Sequence, residues 1–409
     1  MTHLYVGIDS SKRANTLAGM DDNSKWLIHP TDYNNNKTGA EKLIVKLIAI
    51  CEKFHIENLW IGTEATGVYD WHLMETLNND SQLTKYNLKL YRFNPLHINR
   101  FKKSLPRKGK TDRLDAKIIA KKLKAGELPH PYQGDEAYLP FRLLTRHRFH
   151  IQKLIAREKS YFLTRLFLKF SSYENAKAFS NIFGATSSAF LTEFMSLSEI
   201  EGASMEHLLQ FIIDKGRNRF KEPEKTVEKL RYAVRESYRI RPELNQSLHL
   251  VLASSLQTIR GLKDSLKPID EAIEKELAGF QQTLSTIPGF GLVITAGIIA
   301  EIGDISKFKD HYKLASKAGL VWHQFQSGGF KAEETRLSKE GNKYLRFYLV
   351  EAADHLRKRT IYYKKFYQKK YNEVTKHKHK RALVLTARKI VKLVFAMLSN
   401  GTIYKEITA

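Results

Sequence analysis

Short apolar runs and the way they are joined constrain the first third of this chain most. Leu4–Ile8 reads as a buried strand that ends in Asp9, and Thr16–Met20 reads as a second strand. Asp21-Asp22-Asn23-Ser24 is turn chemistry, and Lys25–His29 returns as a third strand. The joining pattern then changes. A helix is predicted from Gly39 to Phe54, with Leu43, Leu47 and Ile50 on its apolar face. Asn58–Thr63 is a strand ending in Glu64, Thr66-Gly67 turns into a helix over Tyr69–Leu77, and Leu88–Phe93 is a further strand. Asn94-Pro95 then opens a short helix.

A three-stranded meander followed by alternating helices and strands predicts an α/β sheet of the ribonuclease-H-like kind. In open α/β sheets ligands collect beyond the carboxyl ends of the strands. Asp9 and Glu64 are placed there. Gly109-Lys110-Thr111-Asp112-Arg113-Leu114-Asp115-Ala116 starts as a basic loop and ends as a helix. Thr111 is the expected N-cap, and Leu114, Ile118, Ile119 and Leu123 have helical spacing. Asp112 and Asp115 share one face of the first turn, where like charges repel and the helix dipole offsets part of the repulsion. A lone acid after a strand is ordinarily a loop residue or a cap. Four acids brought to one end of a sheet are a candidate site for a hard divalent cation such as Mg²⁺, which takes oxygen ligands and often shares them with a substrate phosphate. No His/Cys cluster competes for a softer metal.

The charge balance points the same way. Lys and Arg number 68 against 43 Asp and Glu, a formal net charge of +25, and such a surplus calls for a polyanionic partner, most often nucleic acid. Arg100, Lys102, Lys103, Arg107, Lys108 and Lys110 precede the acidic helix, with Pro106 and Gly109 as breakers. Alone they are a solubilising loop. Beside an acidic pocket they are candidates to hold the phosphates. No apolar run is long enough to span a bilayer, and Met1-Thr2-His3-Leu4 begins a strand pattern, not a signal peptide. The single cysteine, Cys51, excludes disulfide staples and a Cys-based zinc site, which fits a reducing cytosol.

Beyond the sheet the pattern is helical. One long helix is predicted from about Tyr138 to Phe170. A second helical pattern runs from about Glu222 to Leu277, with Leu230, Val234, Tyr238, Leu244, Leu248, Val251 and Leu262 as its apolar stripe. Two antiparallel, coiled-coil-like arms are expected, with smaller helices over Ser171–Phe220 between them. A dimer interface and a monomeric bundle are both open for this arm. Ile287-Pro288-Gly289-Phe290-Gly291 precedes an apolar helix, a helix-hairpin-helix-like turn whose N–H groups could face a phosphate, so Pro288, Gly289 and Gly291 are candidate contacts. Ser327 stands before Gly328-Gly329, with an accessible hydroxyl. Ser338-Lys339-Glu340-Gly341-Asn342-Lys343 opens another helix, and Lys339, Asn342 and Arg346 are candidate phosphate ligands. From His355 to Arg381 bases alternate with Tyr362, Tyr363, Phe366, Tyr367 and Tyr371. A nucleic-acid face with stacking rings and an amphipathic helix with core aromatics fit that stretch equally. His377 and His379 sit among lysines, which argues against metal ligation.

Taken together, Val6-Gly7-Ile8-Asp9, Glu64-Ala65-Thr66-Gly67 and Lys110–Ala116, followed by Ile287-Pro288-Gly289, Ala318-Gly319-Leu320, Ser327-Gly328 and Ser338-Lys339-Glu340-Gly341-Asn342 with Leu345-Arg346, give the chain a family. It resembles the IS-one-ten/IS-eleven-eleven insertion-sequence transposases, DEDD recombinases that use a structured guide ("bridge") RNA. The resemblance implies three regions. They are a RuvC-like DEDD domain over 1–136, a helical coiled-coil arm with an insertion over 137–278, and a mainly helical C-terminal serine transposase domain over 279–409. It implies that Asp9, Glu64, Asp112 and Asp115 bind divalent metal. It also implies that Ser327 is the nucleophile, attacking a DNA phosphate to leave a phosphoserine link. The implied partners are donor and target DNA, the guide RNA, and further copies of the chain as a homodimer assembling to a tetramer with composite sites. The implied location is the prokaryotic cytoplasm, at the nucleoid, without a membrane. The chain departs from the family in having Val321-Trp322 where a proline is usual, and in a longer Ser171–Phe220. Two other readings remain: a RuvC-like metal-dependent endonuclease in which Ser327 is a bystander, and a non-catalytic nucleic-acid-binding protein.

Overall fold

The computed structural model describes residues 2–65, 67–105, 111–134, 137–194, 196–322, 326–327, 330–331, 337–338 and 340–406, with backbone alone for 326–327 and 330–331. The chain divides into two compact units, Met1–Glu136 and Ala137–Ala409.

The first unit is a mixed five-stranded sheet with helices on both faces. Its elements are β1 (His3–Ser10), β2 (Ala14–Asp21), β3 (Trp26–Asn34), α1 (Lys37–Lys53), β4 (Asn58–Glu64), α2 (Trp71–Asn78), β5 (Lys89–Phe93), α3 (Pro95–Ser104) and α4 (Asp112–Ala125). The strand order is β3-β2-β1-β4-β5, antiparallel through the meander and parallel from β1 to β4 to β5. Leu4, Val6, Ile8, Leu59 and Ile61 pack on one face with Leu43, Leu47 and Leu73 from α1 and α2. Tyr5, Trp60, Tyr91 and Phe93 pack on the other with Ile118, Ile119 and Leu123 of α4. The two-residue period of a strand makes this division.

β3 runs five residues past the expected end at His29, through Pro30 to Asn34. β3 is an edge strand, and its register with β2 shifts between Leu17 and Gly19, so a residue without an N–H is tolerated there.

The second unit is almost all helix. Its elements are α5 (Leu139–Lys169), α6 (Tyr173–Ala176), α7 (Ala185–Glu193), α8 (Leu197–Gly202), α9 (Met205–Gly216), α10 (Pro223–Arg235), α11 (Pro242–Asp264), α12 (Leu266–Ala278), α13 (Leu292–Ile302), α14 (His311–Ala318), β6 (Gln326–Ser327), β7 (Phe330–Lys331), α15 (Lys343–Arg359), α16 (Ile361–Asn372) and α17 (Lys378–Asn400). The expected continuous pattern from Glu222 to Leu277 is therefore three helices. Pro242 forces the residue before it out of the helical region, and Arg241 is extended at φ −63°, ψ 145°. Tyr238 and Leu244, expected on the apolar stripe, are exposed, while Leu252, Leu256 and Ile259 take the buried positions. α5 runs antiparallel to α11 and α12, with Arg148 bound to Asp270, Glu158 to Ser255 and Lys169 to His249. The small helices α6–α9 wrap Phe162 and Leu166 of α5, and Phe170 that caps it, in a separate aromatic core. The main core lies on α13, where all residues from Ile294 to Ile302 are buried. Among the described residues no helix is long and apolar enough to cross a membrane.

Candidate active site

Strand parity places the first two acids. On β1, Tyr5, Gly7 and Asp9 face α4, and on β4, Trp60, Gly62 and Glu64 do. Gly7 pairs with Gly62 across the parallel strands, and Ile8 with Thr63, which puts Asp9 and Glu64 at the same level one step further on. The paired glycines form the seat of α4. A Cβ on Gly7 would overlap the Ala116 carbonyl oxygen and lie 2.5 Å from the Ala120 nitrogen, and one on Gly62 would lie 3.1 Å from Leu123. The helix backbone thus rests directly on β1. Thr111 caps it, its hydroxyl accepting from the Leu114 N–H at 3.2 Å, so its first turn carries Asp112 and Asp115 as the spacing predicts.

Asp9 senses the other three acids. Asp9 is pushed up to about 6, first by burial and then by the charges of Asp112, Asp115 and Glu64, with Lys102 opposing. Lys102 of α3 is hydrogen-bonded to the Asp115 carboxylate. An all-carboxylate set with a common negative field suits a hard divalent cation. Among the described residues, however, no three His, Cys, Asp or Glu side chains are gathered as a closed metal-holding group. The donor chemistry, all carboxylate oxygen, is of the kind a divalent cation takes.

The sign of the Asp9 shift gives a prediction. A carboxyl raised from 3.8 to about 6 carries an ionisation penalty in the folded state that is absent near pH 4 and complete above pH 6. Asp9→Asn is expected to stabilise the protein well above pH 6 by on the order of 2 kcal/mol, with the gain fading towards pH 4. Urea unfolding across pH with chelator present checks it; a gain independent of pH would contradict the shared-field geometry.

Of the basic loop, Lys102 faces the acids, Lys103 is exposed, and Arg107, Lys108 and Lys110 lie outside the described residues. One pair near the acids was not evident in the sequence. Asp70, buried at 1% exposure, takes Arg92 bidentately at 2.6 and 2.8 Å and accepts from Thr63 at 3.0 Å. Arg92 stands opposite Thr63 in register, so this ion pair ties the turn after Glu64 to β5. An aspartate in a turn and an arginine on a strand carry no mutual signal in sequence.

In the second unit, Ser327 ends β6, and its Cα pairs with that of Phe330 across the two-stranded hairpin. The hairpin base is the Trp322–Leu337 bridge, with the Ser338 N–H donating to Val321 O at 2.9 Å. Pro288 and Gly289 form the centre of a tight turn closed by the Phe290 N–H on Ile287 O at 3.0 Å, and Gly289 has φ +92°, as a type II turn requires. Gly291 then starts α13 with no side-chain cap. The turn borders a cavity of about 810 Å³ that also meets Arg148, His355 and Arg359.

The other candidate phosphate ligands are engaged internally. Asn342 caps α15 through its Oδ1 and donates to Glu301 at 2.5 Å, and Arg346 donates to Ala318 O at 3.0 Å. Lys339 lies outside the described residues. On α16, Tyr363 and Tyr367 are buried, and Lys389 lies 4.1 Å from the ring centres of both Tyr362 and Phe366. Those rings serve packing and cation–π contacts, so the basic side chains are the groups this face offers to an anion.

Comparison with known proteins agrees with this layout. A family model for DEDD transposases of the IS110 type, described as a transposase, matches residues 6–171. A second, described as the transposase IS116/IS110/IS902 family, matches residues 281–368. The chain is 27% identical over 315 residues to an insertion element IS116 protein of Streptomyces clavuligerus, covering 75% of each. It is 29% identical over 213 residues to the transposase for insertion sequence element IS1111A of Coxiella burnetii, covering 51% of this chain and 55% of that one. It is 23% identical over 359 residues to the pilin gene-inverting protein of Moraxella bovis, covering 86% of this chain and 83% of that one. With the two family models matched in order, the chain carries the transposase domains of the IS110 and IS116/IS110/IS902 families.

Proposed function

We propose that this transposase is a DNA recombinase that cuts and rejoins strands through a phosphoserine intermediate. Its first unit is read as a ribonuclease-H-like, RuvC-like domain, a reading supported by the β3-β2-β1-β4-β5 order and the helix seated on β1. The observation that carries the proposal is the shared field of Asp9, Glu64, Asp112 and Asp115, expressed in the raised Asp9 carboxyl. These four residues would hold the cation. When bound, a divalent ion such as Mg²⁺ supplies neutralisation of phosphate charge. Lys102 and Lys103 neutralise and orient the DNA backbone. Ser327 Oγ attacks a DNA phosphorus; the Oγ–P bond forms, the P–O3′ bond breaks, and the departing 3′-oxygen takes up a proton to balance the one lost by the serine. The 3′-hydroxyl of the exchanged strand reverses the step and frees the serine. The acids thus serve electrostatics and positioning, not the making of hydroxide.

Rejoining distinguishes this reading from a simple nuclease, and the similarity to a protein named for inverting a gene supports it. The choice of donor and target DNA is assigned to a structured guide RNA, and the net charge of +25 suits a chain that holds both polyanions. Sequencing the RNA that co-purifies with the protein tests that assignment; recovery of only bulk cellular RNA would remove it. Asp112→Ala tests the site, with strand transfer expected to fall on the order of 10³-fold while DNA affinity holds. Unchanged strand transfer would leave only a nucleic-acid-binding role.

A further inference from the structure

α13 is wholly buried from Ile294 to Ile302, yet it contains one carboxylate, Glu301, whose side chain is 0% exposed. A charge in that position is retained only if it is fully bonded. Arg146 of α5 meets it bidentately, Nε to Oε1 at 2.7 Å and Nη2 to Oε2 at 2.9 Å. Asn342 Nδ2 donates to Oε2 from a third element, while Asn342 Oδ1 caps α15. Around this triad the ends of α13 and α14 are closed by cations: Arg142 donates to Ala300 O, Lys317 to Ile302 O, and Arg346 to Ala318 O.

The position of the triad in the chain gives it a second meaning. The segment that carries Ser327 leaves at Gly319, the left-handed cap of α14, and returns at Gly341-Asn342. The Asn342 N–H donates to Lys317 O at 2.6 Å, which joins the returning end to the departing one. A Cβ on Gly341 would lie 2.6 Å from that same oxygen and 2.7 Å from the Gly319 nitrogen, so the two ends touch through backbone.

We infer that Glu301, Arg146 and Asn342 are positioning residues that fix both ends of the Ser327 hairpin and couple its placement to α5. The inference rests on the reading of Ser327 as the nucleophile. The carboxylate at the centre of the triad has no exposure of its own, and its partners reach it from α5 and from the cap of α15.

The test uses the full-length chain with Asn342→Ser, which keeps an oxygen to cap α15 and removes only the bond to Glu301. With saturating DNA the single-turnover rate of protein–DNA adduct formation is expected to fall about 10- to 100-fold, with DNA affinity within about twofold of wild type. Hydrogen exchange at the Ser338 and Asn342 amides is expected to rise about tenfold or more. An adduct rate equal to wild type overturns the inference, and so does a rate loss matched by an equal loss of DNA affinity. If Asn342→Ser does not fold, Arg146→Lys, which keeps the charge and loses the bidentate fork, carries the same test. Ser327→Ala separates the two claims: retained adduct would sink the serine reading, and amide exchange in Asn342→Ser then decides the clamp alone, unchanged protection overturning it.

Discussion

Ser327→Ala is expected to abolish covalent protein–DNA adducts and strand exchange while leaving DNA and RNA binding intact. The substitution deletes one oxygen from a residue of a two-residue strand and changes no other atom, so the fold has no reason to fail. Loss of a covalent nucleophile removes the bond-forming atom itself, and the expected drop is on the order of 10⁴-fold or more. Denaturing gels with labelled DNA read the adduct, and filter binding reads affinity. Wild-type adduct levels in Ser327→Ala would defeat the serine mechanism. Free 5′-phosphate ends made by both proteins, with no adduct in either, would instead favour a metal-dependent endonuclease.

Gly7→Ala is the second large effect. The added methyl would meet backbone atoms of α4, the Ala116 oxygen and the Ala120 nitrogen, which no rotamer change can move aside. The helix must lift from the sheet, at a cost of about 3 kcal/mol or more as an overpacked contact. Lifting it carries Asp112 and Asp115 away from Asp9, and a displacement of about 1 Å is enough to cost on the order of 10²-fold in strand transfer. Gly19→Ala is the control. The atoms its methyl would approach most nearly are side-chain atoms of Ile28, at 3.1 Å and beyond, on the β2–β3 side of the same sheet. Urea unfolding and strand-transfer rates should separate the two variants clearly. Equal behaviour would mean that α4 does not depend on the glycine seat.

Much of the first unit was legible before any coordinates. The element order already sets Asp9 and Glu64 at strand carboxyl ends, and the Thr111 cap and the Asp112–Asp115 spacing follow from local rules that hold regardless of the rest of the chain. The limits of β3 and of the second helical pattern were less legible. Whether Pro30 stops a strand depends on that strand being at an edge, and edge status is a property of the whole sheet. The break at Pro242 was visible as a residue but was outweighed by the apolar repeat around it.

Side-chain partners were the least legible part. Asn342 and Arg346 looked available to phosphate because both are polar and stand at a helix start. Asn342 instead meets Glu301, 41 positions away, and Arg346 a carbonyl 28 positions away. Glu301 did have a signal, as the single acid in the apolar run from Leu292 to Ile302, and a lone charge in such a run asks for a buried partner. Its partner Arg146, 155 positions earlier, could not be chosen from among the bases of α5 by sequence spacing.

By itself the sequence determined the order of elements in the first unit, the strand ends and helix turn that carry the acids, a net charge suited to a polyanion and the family motifs, because periodicity, capping and net charge act locally or by simple sum. Only the tertiary structure decided that Gly7 and Gly62 pair to seat α4, that Lys102 answers Asp115, and that Glu301 is held by Arg146 and Asn342. Those contacts join residues far apart in the chain, and which distant groups meet is set by close packing of whole elements, a property no local pattern encodes.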